Sequence, residues 1–342
     1  MPGRWEAVGM PAPPDIPRTW TWRAALPGWW KPCGKPDMDR GAVDGLVLLD
    51  KQPGPTSHDL VQEVRRRLGA RKAGHAGTLD PQASGLLAVL VGKATRLAPY
   101  VPGDPKVYEG TVILGVETDT LDLEGEVVSR SPFRGDEEEV REAVRSLVGI
   151  HEQLPPRFSA VKHEGKPLYY YARRGEEAPR RPRQVEVYEA EVLSCRPGDM
   201  AEVDFRVSCS PGTYVRELAR FLGEMLGCGG TLASLRRVAS GPYRLEEAVT
   251  LEEFTLRLER GKAAVLPPLE ALRGYRRAEL RREGLKKALH GAPLAPALLD
   301  WDGELAGGEI LAVTYHGELI GVYEVQASPA CLRPRRLMAL NG

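Results

Sequence analysis

The stretch GHAGTLDPQASGLL at residues 74–87 combines several glycines with side chains that can do chemistry. Its one carboxylate, Asp80, precedes Pro81, and a residue before proline is held away from the helical region of backbone space. The apolar Leu79 beside it could shield the carboxylate from water. A positioned, partly desolvated aspartate can act as a nucleophile, a general base or a metal ligand. Taken alone, an Asp-Pro step is more often a structural turn.

Regular elements are predicted on both sides of this stretch. The apolar runs at residues 45–50 and 86–92 have the length and composition of buried strands. Between them, a helix is predicted to begin at Thr56 or Ser57 and to carry Asp59 in its first turn. The glycine-rich stretch is therefore expected to be a loop that leads into the second strand.

The rest of the chain mixes strands and helices. A strand is predicted at 106–115, a polar loop with a return strand at 117–127, and a hairpin from 185–193 and 201–209. A helix at 136–148 is expected to bury Val140, Val144, Leu147 and Val148. A second helix at 211–227, capped by Thr213, is expected to bury Leu218, Phe221, Leu222 and Met225. A capping box of Thr250 and Glu253 predicts one more helix, and 307–325 predicts two strands around His316 and Gly317.

Because strands and helices do not alternate strictly, we expect an α+β fold with a mixed, mainly antiparallel sheet. Residues 1–43 hold five of the six tryptophans among many prolines and predict a disordered or non-native extension, with Met38 as a possible natural start. Residues 44–272 are expected to form the main domain, with a long insert at 151–184 that is rich in Pro, Arg and Tyr. Residues 273–342 are expected to form a small β-rich domain.

Composition limits the class of protein. The chain has 342 residues, 42% of them hydrophobic, and its mean hydropathy is -0.32. Since no run of 18 apolar residues and no secretory signal is present, we expect a cytoplasmic protein without a membrane span. The five cysteines form no CxxC pair, which indicates neither a zinc site nor a disulfide framework.

The charge balance is neutral overall but uneven along the chain. Basic and acidic residues number 47 each. The basic ones cluster at 65–72, 173–183, 236–237 and 273–287. Such clusters often form a solvated face, but their position around the glycine-rich stretch also suits a polyanion such as RNA.

The motifs along residues 45–255 together resemble one family. GHAGTLDPQASGLLAVLVGKATRL is similar to the catalytic signature of TruB-type tRNA pseudouridine synthases, and the stretches that resemble the family's other motifs follow in its order: GLVLLDKQPGPTSHD, YEGTVILGVETDTLDLEGEV, LPPRFSAVKHEGKPLYYYARRG, CSPGTYVRELARFLGEMLGCGG and LRRVASGPY. Two positions depart from the family pattern. Pro53 lies one place late after the lysine, and Phe158 stands where tyrosine is common.

The resemblance implies a role for each of several residues. Asp80 would be the catalytic carboxylate, either attacking ribose C1′ or promoting loss of a sugar proton; the sequence leaves both routes open. Tyr108 would stack on the flipped base and serve in proton removal at C5, and Arg216 would pair with Asp80. The residues expected to bind the substrate are His75, Tyr214, Leu235 and Lys51. For Lys51, support of the loop and contact with a phosphate are both open.

The implied function is isomerisation of uridine 55 in the T loop of tRNA, by base flipping and rejoining of the uracil through C5. The resemblance implies the pseudouridine synthase fold with a PUA-like C-terminal domain, tRNA as partner, no cofactor or metal, no obligate protein partner and a monomer. Two alternatives remain: a guide-RNA-directed subunit of the H/ACA type, and a non-catalytic RNA-binding or RNA-folding protein.

Overall fold

The computed structural model describes residues 43–159, 161–262, 264–328 and 330–338. The extension expected at 1–43 lies outside the described residues, apart from Val43. The α-helices of the described part are α1 (Ser57–Arg67), α2 (Glu137–Arg145), α3 (Leu168–Ala172), α4 (Val215–Met225), α5 (Leu251–Glu259) and α6 (Arg282–Leu289). Its strands are β1 (Gly45–Lys51), β2 (Ala73–Ala76), β3 (Ser84–Val91), β4 (Lys106–Leu114), β5 (Val116–Thr118), β6 (Val127–Arg130), β7 (Gly149–Gln153), β8 (Lys162–His163), β9 (Lys166–Pro167), β10 (Arg183–Arg196), β11 (Glu202–Cys209), β12 (Gly230–Ser240), β13 (Tyr243–Arg244), β14 (Arg276–Leu280), β15 (Leu299–Asp300), β16 (Ile310–Tyr315), β17 (Glu318–Gln326) and β18 (Cys331–Leu337).

The main sheet has the strand order β1-β3-β12-β4-β11-β10-β7, with β2 paired to β3 and β13 paired to β12. Its pairings are antiparallel except for the short parallel contact between β12 and β3. A five-stranded sheet, in the order β15-β14-β16-β17-β18, follows near the C-terminus. The expected α+β class with a mixed, mainly antiparallel sheet and a C-terminal β-rich part is confirmed.

Strands β1 and β3 are buried on both faces, which explains why their sequences are continuous apolar runs. Leu46 and Leu48 of β1 pack into a core that also contains Ala312 and Val322 of the C-terminal sheet. The alternate residues of β1 face a second core, together with Phe254 of α5 and apolar residues of α1. Each such buried leucine contributes about 2 kcal/mol by leaving water. The C-terminal sheet therefore shares a core with the main sheet, and the domain boundary at 272–273 stays a prediction.

Helix α1 shows why the chain turns where the site is built. Thr56 is its N-cap, and the Thr56 side chain accepts from the Asp59 amide while Asp59 accepts from the Thr56 amide. This reciprocal pair satisfies amide groups that a helix start leaves without partners. The predicted start at Thr56 or Ser57 is confirmed, so Ser57 occupies the first turn.

Several local expectations were wrong. Helix α2 ends at Arg145, so Val148 lies beyond it and is 48% exposed. Phe221 and Met225 lie at the margin of the buried stripe of α4 and are 37% and 40% exposed. Tyr214, not Thr213, is the N-cap of α4, because the Thr213 hydroxyl donates to the Ser210 carbonyl instead.

Two further segments are more regular than expected. The glycine-rich stretch begins as strand β2, which pairs with β3, before it becomes a loop. The insert at 151–184 contains the end of β7, the β8–β9 hairpin and α3. Within the described residues, no helix has the length and hydropathy to cross a membrane.

Candidate active site

Residues 77–83, here called the aspartate loop, join β2 to β3 and carry Asp80. Three side chains from other parts of the chain bind its backbone. They are Lys51 at the end of β1, Ser57 at the start of α1 and Arg237 on β12. A loop whose carbonyl oxygens are bound in this way is fixed before any substrate arrives.

Lys51 is fully buried and its ammonium serves the aspartate loop. Nζ donates to the carbonyl oxygens of Pro81 at 2.7 Å and Ala83 at 2.6 Å. Burial lowers the pKa of Lys51 to about 8, against the opposing effect of the Asp80 and Asp59 carboxylates. Of the two roles left open by the sequence, the structure therefore favours loop support. A direct contact with a phosphate does not fit a side chain that no solvent reaches.

Ser57 closes the same loop from the helix side. Its hydroxyl donates to the Leu79 carbonyl at 2.9 Å and accepts from the Leu79 amide at 2.9 Å. Because the hydroxyl is buried, it satisfies two backbone groups that water cannot reach. Leu79 itself is buried, which fixes the residue next to Asp80 on its apolar side.

Arg237 completes the support and corrects an expectation. Its Nε donates to Leu86, Nη1 to Thr78 and Nη2 to Gly77, all at backbone carbonyls 2.8–3.3 Å away. The side chain is 0% exposed, so the expectation that the 236–237 cluster binds RNA phosphates is wrong for Arg237. Its neighbour Arg236 forms an ion pair with Asp50 at 2.8 Å.

Two of the glycines that surround Asp80 are required by their backbone angles, and Gly85 also by a close approach of the backbone. At Gly85 φ is +100°, and a Cβ there would lie 2.3 Å from the Arg237 carbonyl oxygen, where β3 and β12 meet in parallel. At Gly77 φ is +95°, and a Cβ would lie 3.1 Å from Nζ of Lys106. Only glycine adopts such backbone angles at no steric cost.

Arg216 in the first turn of α4 joins the aspartate loop to two other segments. Nη2 lies 2.9 Å from the Asp80 carboxylate, and Nη1 lies 3.1 Å from the Asp122 carboxylate. The same guanidinium donates to the carbonyl oxygens of Thr120 at 3.1 Å and Phe158 at 2.9 Å. Arg216 is 5% exposed, whereas the Asp80 side chain is 44% exposed. The Asp80 carboxylate is thus bound by the buried Arg216 on one side and remains accessible to solvent on the other.

Tyr108 on β4 lies in the same core cluster as Leu79 and Ala83, at the edge of the aspartate loop. It pairs across the sheet with Arg237 and is 6% exposed. Burial raises the pKa of Tyr108, and Arg237 opposes that rise. Leu235, two residues before Arg237, is partly buried against this cluster. The structure therefore gathers residues 80, 108, 216 and 235 around one place.

His75 and Tyr214 are the other two residues expected to bind the substrate. His75 is on β2, directly before the aspartate loop; burial lowers its pKa, with smaller effects from Arg237, His58 and Lys106. Tyr214 is half-buried, and the side-chain amide of Gln153 binds its backbone N–H and C=O. Both positions are compatible with the expected substrate contacts, which stay predictions.

Three residues of the site were not found from the sequence. The sequence indicates Asp122 only as part of a polar turn. An aspartate in such a turn can form an ion pair with an arginine on a helix that faces it, and this signal could have pointed to Asp122. Ser57 was seen only as a possible cap, and Arg237 only as part of a charge cluster. Their roles depend on contacts between residues 22 to 160 positions apart along the chain, which no local pattern encodes.

The basic clusters at 65–72 and 173–183 differ in how many of their side chains are exposed and could contact a polyanion. In the first, Arg66 and Arg67 pair with Glu63, while Arg65, Arg71 and Lys72 are exposed. In the second, the exposed residues are Arg173, Arg174, Arg181 and Arg183. Within the described residues, no group of three or more His, Cys, Asp or Glu side chains is placed to hold a metal ion.

The chain is similar to known proteins along most of its length. Residues 65–215 match the N-terminal domain of TruB family pseudouridylate synthases, and residues 216–272 match the tRNA pseudouridylate synthase B C-terminal domain. The tRNA pseudouridine synthase B of Geobacillus thermodenitrificans is 44% identical over 307 residues, covering 86% of this chain and 99% of that protein. The protein of the same name from Aromatoleum aromaticum is 41% identical over 301 residues, covering 88% and 94%.

A solved structure is also similar. It is the structure of an H/ACA RNP bound to a substrate RNA containing 2′-deoxyuridine, and it matches with a TM-score of 0.67 at 25% identity. The match covers 86% of this chain and 85% of that one.

Proposed function

Because the chain belongs to the TruB family of pseudouridylate synthases, we propose that it isomerises uridine 55 in the T loop of tRNA to pseudouridine. The relatives' name, tRNA pseudouridine synthase B, supports tRNA as the substrate class. The observation that carries the proposal is the position of Asp80. It is a half-exposed carboxylate at the tip of a fixed loop, with Arg216 behind it at 2.9 Å.

In the proposed reaction Asp80 starts the cleavage of the N1–C1′ bond of the flipped uridine. It does so either by attack on C1′ or by promoting the loss of a sugar proton. The uracil leaves C1′ through N1, turns in place and bonds to C1′ through C5. On the first route the bond between Asp80 and C1′ breaks as this bond forms; on the second the sugar regains the proton that it lost. The C5 proton then leaves and a proton is taken up at N1. Arg216 keeps the carboxylate oriented by a charge-assisted hydrogen bond. No net oxidation occurs, and no co-reactant is consumed.

Tyr108 is assigned the base-stacking position. A ring against a flipped base contributes about 1 to 3 kcal/mol. Since burial raises the pKa of its phenol, Tyr108 is neutral near pH 7 and is a weak base there. A neutral phenol is compatible with the stacking role of Tyr108 and argues against its expected role in proton removal at C5.

The proposal also accounts for features away from Asp80. Taking a uridine out of a folded RNA loop costs a few kcal/mol of unstacking, which backbone and pocket contacts must recover. The exposed arginines near residues 65–72 and in the insert at 173–183 are placed to contact phosphates. We propose that the insert closes on the RNA and that residues 273–342, as a PUA-like domain, extend the RNA-binding surface.

We also propose that the protein acts alone and in the cytoplasm. The H/ACA alternative is supported by the solved structure that matches the fold. The curated relatives favour the stand-alone reading, because they are more similar in sequence and match over nearly their whole length. Activity of the purified chain on tRNA without any guide RNA or second protein would decide between the two.

The non-catalytic alternative is tested by Asp80→Asn. This change keeps the shape of the side chain and removes its charge. We expect the variant to lose release of tritium from C5-labelled T-loop uridine while it binds tRNA with nearly unchanged affinity. Asp199→Asn, the same change at an exposed aspartate whose ion pair with Arg134 lies on the surface, is the control and should retain release. Normal release by Asp80→Asn would refute the proposed function.

A further inference from the structure

A second charged group lies beside the aspartate loop and has no part in the chemistry described so far. Lys106 is the first residue of β4, and it shares a face of the strand with Tyr108 because side chains alternate along a strand. Its Nζ lies 3.1 Å from the place that a Cβ on Gly77 would occupy. The ammonium thus borders the first residue of the aspartate loop.

Lys106 has no acidic partner among the described residues. In the described part of the chain, Nζ makes neither a hydrogen bond nor an ion pair, and the carboxylate of nearby Asp104 accepts from the Tyr188 hydroxyl at 3.1 and 3.2 Å. Burial and then the positive Arg237 lower the pKa of Lys106 to about 8, while Cys209 and Asp104 act in the opposite direction. Lys51 differs, because the negative carboxylates of Asp80 and Asp59 raise its pKa and so favour its charged form.

The groups around Lys106 add positive charge, and one of their polar atoms has no hydrogen-bond partner among the described residues. Among the described residues, the hydrogen bonds of Arg237 go to three backbone carbonyls and to the Tyr108 side chain, and none goes to a carboxylate. His75 is close enough to Lys106 for the two to affect each other, and its Nδ1 is buried without a partner among the described residues. His58 adds a further effect on His75. A half-buried cation without a counter-ion is costly unless a ligand completes it.

We propose that Lys106 binds a backbone phosphate of the RNA that flanks the nucleotide in the site. This inference rests on the proposed function. The phosphates are the anionic groups of the substrate, and an ammonium on a flexible stem binds them as a point charge. Arg237 cannot take this role, since its donors are used and its side chain is buried.

The test measures binding of a synthetic T-arm stem-loop RNA to proteins that also carry Asp80→Asn, so that no product forms. Lys106→Met retains most of the side-chain stem and removes the charge. We expect about tenfold weaker binding, as for loss of one charged hydrogen bond, and a salt dependence reduced by about one phosphate contact. Lys106→Arg should retain most of the affinity. Lys262→Met, at an exposed lysine after α5, is the control for loss of one charge.

Neutral methylphosphonates placed singly on either side of the target uridine identify the contact. One of them should weaken binding to the protein with Lys106 and have no further effect on Lys106→Met. Equal losses with both proteins, together with an unchanged salt dependence, would overturn the inference. If Lys106→Met does not fold, the substituted RNAs still test it on the Lys106 protein, because no loss from either flanking position would overturn it.

The same experiment separates this inference from the proposed function. Unsubstituted RNA is also incubated with the protein that retains Asp80. Absence of pseudouridine in the RNA after this incubation would contradict the proposed function. Formation of pseudouridine, with Lys106→Met binding RNA as the unchanged protein does, would contradict only the role of Lys106.

Discussion

Replacing Arg216 by alanine removes the group that joins three segments at the site. The Asp80 and Asp122 carboxylates lose their shared partner, and the carbonyl oxygens of Thr120 and Phe158 lose a donor. Breaking a buried ion pair costs about 3 to 5 kcal/mol. Because the Asp80 side chain is 44% exposed and water can replace part of its contact, we expect the lower end, about 3 kcal/mol. Turnover should fall more than about 100-fold, since a misplaced reacting group alone has that effect.

Urea unfolding and single-turnover tritium release measure the two effects separately. Arg220→Ala is the matched control, because Arg220 lies one turn further along α4 and pairs with Glu217 and Glu224 rather than with a residue of the site. It should change stability by less than about 1 kcal/mol and leave turnover unchanged. If Arg216→Ala turned over like the unchanged protein, Asp80 would not depend on this pair and the reasoning would be wrong.

Three other changes test the support of the loop and the charge beside it. Ser57→Ala should lower the free energy of unfolding in urea by about 2 kcal/mol, since it leaves both backbone groups of Leu79 unsatisfied; an unchanged unfolding midpoint would contradict this. Lys51→Met should change stability by less than about 2 kcal/mol, because removing a buried charge offsets the lost bonds, yet lower turnover more than about tenfold; full turnover would rule out loop support. RNA affinity should be constant below pH 7. As pH rises through about 8, where Lys106 loses its charge, the affinity should fall by at most about tenfold per pH unit. The same pH profile in Lys106→Arg would exclude Lys106 as the cause of the fall.

The parts of the fold that follow from local pattern were predictable. The runs that became β1 and β3 read as buried strands because both of their faces are covered, and α1 begins at its capping pair. Errors fell where the pattern is ambiguous. Phe221 and Met225 lie at the margin of the buried stripe of α4. Because successive residues of a helix are about 100° apart, the pattern does not decide whether a side chain at this margin is buried or exposed.

The site was predictable as far as the family motif reaches. Asp80 and Arg216 were expected to pair, and they lie 2.9 Å apart. The interior cations were not predictable, because arginine and lysine are usually exposed and nothing local indicates that Arg237 is fully buried. The role of Arg237 arises where β12 meets β3, a contact between distant segments.

The most direct test of the central claim maps pseudouridine in tRNA from cells that lack this protein and carry either the unchanged chain or Asp80→Asn. Carbodiimide modification followed by sequencing locates each pseudouridine. We expect pseudouridine at position 55 to return with the unchanged chain and to be absent with Asp80→Asn at equal protein level. Its return with Asp80→Asn would contradict the account.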